Sequence, residues 1–247
     1  SEAYQAWTGA DEGFARMPST SDFDLHPGTR YLHITTNETI GGIRFPEYPT
    51  VDLPLVADMS SDFLSRPIDW DRFDLVYGGA QKNLGPAGLA IVVVRKELLG
   101  RSERTLNSYM DYRTHDKADS MANTPPMFAI YVMGKVLKWM QAAGGLEEFE
   151  RRSAARADLL YGTIEQSEGW YRSPVDAASR SHMNIVFRLP SEDLEKQFVA
   201  EAAASGMVNL KGHRDVGGIR ASVYNALDQQ SVVALTDFMT EFQATNA

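Results

Sequence analysis

One stretch constrains this chain more than any other, the 22 residues from Asp74 to Arg95. A short apolar run, Leu75 to Tyr77, reads as a strand and breaks at Gly78 and Gly79. A second run, Leu89 to Val94, follows Gly85-Pro86-Ala87-Gly88 and reads as a buried strand. Lys82 lies between the two, among small residues. A single lysine is ordinarily a solvated surface residue. Here the small neighbours let backbone approach a ligand closely, and the flanking strands read as buried on both faces. An amine in such a place loses hydration, so its pKa falls and its neutral, nucleophilic form gains. Schiff-base chemistry needs that form. From the local pattern alone, the surface reading and the catalytic reading of Lys82 both stay open.

A chain of 247 residues with 43% hydrophobic content can bury one large core or two smaller ones. Its net charge of -9 argues against nucleic acid or an anionic membrane as the main partner, while leaving room for a local basic pocket. The absence of cysteine removes disulfides and thiol chemistry. No apolar run approaches a membrane span and no signal pattern opens the chain, so a soluble, cytoplasmic protein is expected.

Strand candidates come early and at short intervals: Tyr31–Thr35, Val51–Ala57, then the two runs around Lys82. The gaps leave little room for crossover helices, which predicts a mainly parallel sheet with at least one antiparallel strand. Residues 101–122 are polar and irregular, and Tyr109 and Tyr112 within them suit interface packing better than chemistry. Thr124 reads as the N-cap, with Pro125 first in the helix, of an apolar helix over 127–143 that ends at Gly144-Gly145. A second helix, over about 146–168, is strongly charged and expected to be exposed. Met183, Ile185, Phe187 and Leu189 alternate as a half-buried strand, Ser191 caps a helix, Met207–Leu210 reads as a strand, Ile219, Ala221 and Val223 as another, and a last helix carries Val232, Leu235, Phe238, Met239 and Phe242 on one side. The expected division is a large domain over 1–145, a connecting helix and linker over 146–179, and a small α/β domain over 180–247.

Asp58 ends an apolar run and precedes Met59-Ser60-Ser61. The ordinary reading is a turn or helix cap. Asp58 and Lys82 both fall just past the C-terminal ends of strands, where open α/β sheets bind ligands. A lysine and an aspartate so placed are the protein's contribution to pyridoxal-phosphate chemistry. Seven segments then carry a specific likeness: Asn37-Glu38-Thr39-Ile40 with Gly42, Ala57 to Ser61, Leu64-Ser65-Arg66-Pro67, Gly79 to Gly88, Asn123-Thr124-Pro125-Pro126, Lys211-Gly212-His213-Arg214, and Gly217 to Ser222. In this order they resemble the phosphoserine aminotransferase family from about residue 30 to the C-terminus.

The resemblance implies a fold type I transferase with a mainly parallel central sheet, helices and a small C-terminal α/β domain, using pyridoxal 5'-phosphate. It implies that Lys82 bonds the cofactor aldehyde and moves the substrate α-proton, that Asp58 keeps the pyridine nitrogen protonated, and that Thr39 bonds the phenolic oxygen. Gln81, with the serines after Asp58, would lie beside the cofactor phosphate. Asn123 and Thr124 would reach the phosphate in a partner subunit, so the site would be shared across a homodimer. Without the family, Thr124 reads as a plain cap. Arg220 would grip the substrate α-carboxylate, and His213 and Arg214 the substrate phosphate; taken alone, all three read as solvated side chains. The implied reaction transfers an amino group between phosphoserine with 2-oxoglutarate and 3-phosphooxypyruvate with glutamate, in serine biosynthesis. Action on 4-phosphohydroxythreonine, in pyridoxine synthesis, is a further implication.

His26, His33, His115 and His182 have no metal-ligand spacing and read as structural, with no metal expected. A cysteine desulfurase is disfavoured by the lack of cysteine, and a P-loop by the spacing before Lys82 and the missing Ser/Thr after it. The likeness begins inside the family pattern. The expected missing N-terminal portion would supply sheet strands, a ring-stacking aromatic and a second phosphate-binding pair, none of which Trp7 and its surroundings match. The alternative is therefore a truncated, catalytically deficient fragment acting only as a binding or dimerisation module, with an exposed sheet face or edge.

Overall fold

The computed structural model describes residues 2–101 and 104–247. Strand β1 (Leu32–Thr35) buries Leu32 and Ile34 and exposes His33 and Thr35, as a period of two requires. Strands β2 (Asn37–Glu38) and β3 (Ile43–Arg44) form a small antiparallel hairpin. Gly42 closes it at φ +72°, packed so tightly on the Asn184 carbonyl and Val186 that a side chain has no room. Strand β4 (Leu55–Asp58) runs parallel to β1, and β5 (Leu75–Gly79) parallel to β4. Strand β6 (Ala90–Val94) returns antiparallel along β5, giving the order β1-β4-β5-β6. The mixed, mainly parallel sheet is as expected. Strand β4 starts later than the apolar run suggested, because Pro54 has no N–H to give a ladder.

One expectation beside Lys82 fails. Strand β6 is only partly buried: Ala90, Val92 and Val93 are exposed, since β6 is the sheet's edge, while Ile91 still packs against the core.

Helix α1 (Tyr112–Lys117) is capped by Asp111 within the stretch expected to be irregular. Helix α2 (Met127–Ala142) has Pro126, not Thr124, at its N-cap. The residue before a proline is pushed out of the helical region, so Pro125 cannot be the first helical residue ahead of Pro126. Helix α3 (Gly145–Gln166) is less exposed than its charge suggested, burying Phe149, Ser153, Arg156, Ala157, Leu160, Tyr161 and Ile164.

Strand β7 (Asn184–Phe187) is buried at every position rather than half-buried. Ile185 and Phe187 face the core under α3, while Val186 packs against Ile43 and Val175 on the other side. Helix α4 (Glu192–Ala204) is capped by the Ser191 hydroxyl, which accepts from the Leu194 N–H. No strand forms at 207–210, because Asn209 adopts φ +63° and interrupts the extended backbone; only Lys211 bridges to Ile219. Strand β8 (Ile219–Ser222) pairs antiparallel with β7, and α5 (Gln229–Asn246) starts at an Asp228 cap.

Two cores result. One gathers Leu55, Ala57, Phe63, Phe73 and Val76 under the parallel sheet; the other gathers Tyr171, Phe187, Phe198, Met239 and Phe242. Helix α3 enters both, giving Phe149 to the first and Leu160, Tyr161 and Ile164 to the second.

Candidate active site

The site begins where the parallel strands end. In register, Thr35, Asp58 and Tyr77 lie side by side across β1, β4 and β5. The turn after Asp58 is tied down locally: Asp58 Oδ1 accepts from the Ser60 N–H at 2.8 Å. Ser60 Oγ in turn accepts from the Gly79 N–H at 3.2 Å. Gly78 is needed for this approach, whereas the exposed Gln81 side chain could swing away from a side chain at Gly79. A Cβ on Gly78 would fall 2.9 Å from the Phe63 ring, and one on Gly79 would collide with the Gln81 amide.

The chain then makes a single tight turn, in which the Leu84 and Gly85 N–H groups both donate to the Ala80 carbonyl at 2.9 Å. Lys82 leaves this turn half-buried, and its Nζ donates to Thr39 Oγ1 at 2.7 Å. Thr39 sits in the loop between β2 and β3, held by the Glu38 carboxylate, which accepts from the Ile40 and Gly41 N–H groups at 2.9 and 2.5 Å. Arg220 arrives from the second core on β8, between buried Ile219 and Ala221, and its Nη1 donates to the Thr39 carbonyl at 3.5 Å. Its Nε is buried without a hydrogen-bond partner.

Burial holds the Lys82 amine below the ordinary lysine pKa; the Asp58 charge opposes that fall and the Arg220 charge adds to it. The structure thus brings Lys82, Thr39, Asp58 and Arg220 into one electrostatic neighbourhood. An amine with a depressed pKa, a hydroxyl, a carboxylate and a guanidinium can together hold an aldehyde, a ring nitrogen and an anionic substrate.

The remaining residues expected from sequence lie apart. Gln81 is exposed and folds back over Gly79. Asn123 and Thr124 are exposed ahead of α2, with no bond among the described residues to the Lys82 cluster. His213 and Arg214 share a turn with Asp215: His213 Nδ1 lies 3.3 Å from its carboxylate and Arg214 Nε 3.5 Å. Neither bonds Arg220 or Lys82 among the described residues. Among those residues no three His, Asp or Glu side chains converge on a metal position.

The sequence reading did not single out Tyr77 and named His33 only as structural; the Tyr77 OH and His33 Nε2 lie 3.0 Å apart on the face that carries Asp58. Burial and the Asp58 charge raise the Tyr77 pKa. The period-two alternation of β1 and β5 was the available signal. It also missed buried Asp62, whose pKa burial pushes up and whose Oδ1 accepts from Thr36 Oγ1 at 2.5 Å.

Residues 7–235 match the aminotransferase class-V family. The chain belongs to the class-V aminotransferases. Within that family it is 52% identical over 237 residues to a phosphoserine aminotransferase of Laribacter hongkongensis, covering 96% of this chain and 66% of the relative. It is 47% identical to phosphoserine aminotransferase 1, chloroplastic, of Arabidopsis thaliana, covering 98% of this chain and 56% of that protein. The solved phosphoserine aminotransferase from Bacillus circulans subsp. alkalophilus superposes with a TM-score of 0.97 at 46% identity, over 100% of this chain and 69% of that one. A PLP-bound phosphoserine aminotransferase from Trichomonas vaginalis superposes at 0.87 with 36% identity, over 92% of this chain and 64% of that one. The α/β class-V aminotransferase architecture and the phosphoserine aminotransferase likeness hold across the chain. It spans less than two thirds of the length of the curated relatives named here. No helix among the described residues is long and apolar enough to cross a membrane.

Proposed function

We propose that this chain carries the lysine, the ring-facing carboxylate and the carboxylate-binding arginine of a pyridoxal-phosphate-dependent phosphoserine transaminase. Transfer of an amino group between phosphoserine with 2-oxoglutarate and 3-phosphooxypyruvate with glutamate is the reaction its site supports, as a step of serine biosynthesis. The observation that carries the reading is the Lys82 amine, half-buried, depressed in pKa and bonded to Thr39 at 2.7 Å, with Asp58 as the largest opposing charge.

The residues present fit pyridoxal phosphate. Lys82 offers a nucleophilic amine, Asp58 a carboxylate at the strand ends, and Thr39 a hydroxyl within reach of the amine. When bound, that group supplies a conjugated electron sink next to the substrate α-carbon. Lys82 would take and return the α-proton, and the burial that lowers its pKa favours the neutral amine this needs. Asp58, anchored by its own Ser60 N–H, keeps a proton on the ring nitrogen. Arg220 presents a planar fork to the α-carboxylate, and its unpartnered buried Nε fits an anionic group. His213 offers an imidazole donor and Arg214 a guanidinium for the substrate phosphate, from the turn they share with Asp215. Asn123 and Thr124, exposed at the start of α2, suit the phosphate of a second copy's cofactor, so the reading includes a homodimer with a shared site. A cytoplasmic setting belongs to the same reading.

The test is spectroscopic. Protein mixed with pyridoxal phosphate is expected to show a visible band that Lys82→Ala abolishes, together with turnover of phosphoserine. A visible band unchanged in the variant removes Lys82 from its role. The exposed β6 edge and the exposed face of α2, with Met127, Phe128 and Tyr131 at 59–73% exposure, favour a second reading in which the chain alone only associates. A visible band without turnover would support that reading.

A further inference from the structure

Asn83 follows the reactive amine in sequence, but its side-chain amide bonds elsewhere. It is buried, and its side-chain amide is a three-way joint. Oδ1 accepts from the Asn225 backbone N–H at 3.0 Å. Nδ2 donates to the Phe63 carbonyl at 3.1 Å, with Met183 Sδ at 3.8 Å. Asn225 is buried too, and its own Nδ2 donates to the Leu64 carbonyl at 3.0 Å.

These bonds connect three pieces of the site. Phe63 and Leu64 end the short segment that opens with Asp58, a segment folded so that the Phe63 N–H donates to the Met59 carbonyl at 2.7 Å. Asn225 lies three residues past the end of β8, the strand that carries Arg220. Asn83 itself belongs to the turn that carries Lys82. One amide therefore touches the lysine turn, the aspartate segment and the arginine strand's exit.

We propose that Asn83 is a positioning residue that fixes Lys82 relative to Asp58 and Arg220 by clamping these three segments together, an inference that rests on the functional reading above. An amide suits the joint because it accepts on one atom and donates on another. A carboxylate would accept from Asn225 but repel the Phe63 carbonyl, and an apolar side chain would leave both buried groups unpaired. Since the amine's pKa depends on burial and on the distances to Asp58 and Arg220, slack at this joint changes all three influences together.

The test reads the amine directly. The pH dependence of Lys82 acetylation, followed by mass spectrometry and normalised to its high-pH plateau, reports the amine's titration midpoint with or without cofactor. Asn83→Ala is expected to move that midpoint up towards the ordinary lysine value, so normalised labelling at pH 8 falls about threefold or more. Leu235→Ala, a truncation in the other core, is expected to leave the midpoint in place. Asn225→Ala keeps its backbone N–H on Asn83 and is expected to leave the midpoint in place while raising KM for phosphoserine. An unmoved midpoint in Asn83→Ala, or an equal shift in Leu235→Ala, overturns the proposal. Should Asn83→Ala fail to fold, Asn83→Ser is read by the same criteria. A wild-type protein with no visible band on adding pyridoxal phosphate counts against the functional reading alone, because the acetylation midpoint still decides the role of Asn83.

Discussion

Lys82 Nζ and Thr39 Oγ1 lie 2.7 Å apart, although the two residues come from the turn after β5 and from the loop of a separate hairpin. The hydroxyl accepts from the ammonium and so favours its charged form, against the burial that disfavours it. Thr39→Val removes the acceptor while keeping the shape. The amine's titration midpoint is expected to fall further, and kcat/KM for phosphoserine to drop by roughly tenfold, about 1.4 kcal/mol. Acetylation against pH checks the first outcome and steady-state kinetics the second.

Arg220 spans the gap between the two cores. Arg220→Lys keeps the charge but loses the planar fork, and the shorter donor set cannot hold a carboxylate through two parallel bonds. KM for phosphoserine is expected to rise by roughly 10- to 100-fold, with a smaller change in kcat. An equal fall in kcat and kcat/KM, with KM unchanged, would place Arg220 in the chemical step instead.

His182 gives a pH-dependent stability. Burial, with help from Arg44 and Arg66, holds its pKa down to about 3, and its Nε2 lies 3.0 Å from the Arg44 guanidinium. The folded pKa lies below the unfolded value near 6.5, so the unfolded chain binds the proton first as pH falls. Stability is therefore lost progressively between about pH 6.5 and pH 3. Buried Asp62 acts in the opposite sense, because its raised pKa makes its burial less costly as pH falls. His182→Gln retains an acceptor for Arg44 and is expected to flatten the acid limb of a denaturant-derived stability profile over that window.

The edge of the sheet is testable without activity. Val92 and Val93 on β6 are 39% and 42% exposed beside unpaired backbone. Val93→Lys is expected to reduce concentration-dependent light scattering of this chain, with a stability change within about 0.5 kcal/mol. Unchanged scattering would show that the edge does not drive association.

Much of the fold was legible because period-two and helical patterns report burial directly. Leu32 and Ile34, the Ser191 cap and the apolar side of α5 all follow from that logic. The failures have physical causes that lie outside local pattern. Strand β6 reads as a core strand, yet its place in the sheet order leaves it at the edge. Helix α3 is charged, yet Arg156 and Ser153 are buried where it enters the two cores. Asn209 breaks the extended run at 207–210 through one left-handed backbone angle. In the site, the likeness to a family selected Lys82, Asp58, Thr39 and Arg220, which the structure brings together. It gave no warning of Asn83, Tyr77 or Asp62, because their roles depend on partners 20 to 142 residues away.

The long helix α3 sets a limit on dissection. Its first turns seal the sheet's hydrophobic interior through Phe149, and its later turns form a wall of the other interior through Leu160 and Ile164. A recombinant C-terminal lobe begun after this helix would lack that wall, and one begun at its start would leave an aromatic ring bare to solvent. Anyone seeking to produce the lobes separately must redesign the helix surface, rather than only choose a place to cut.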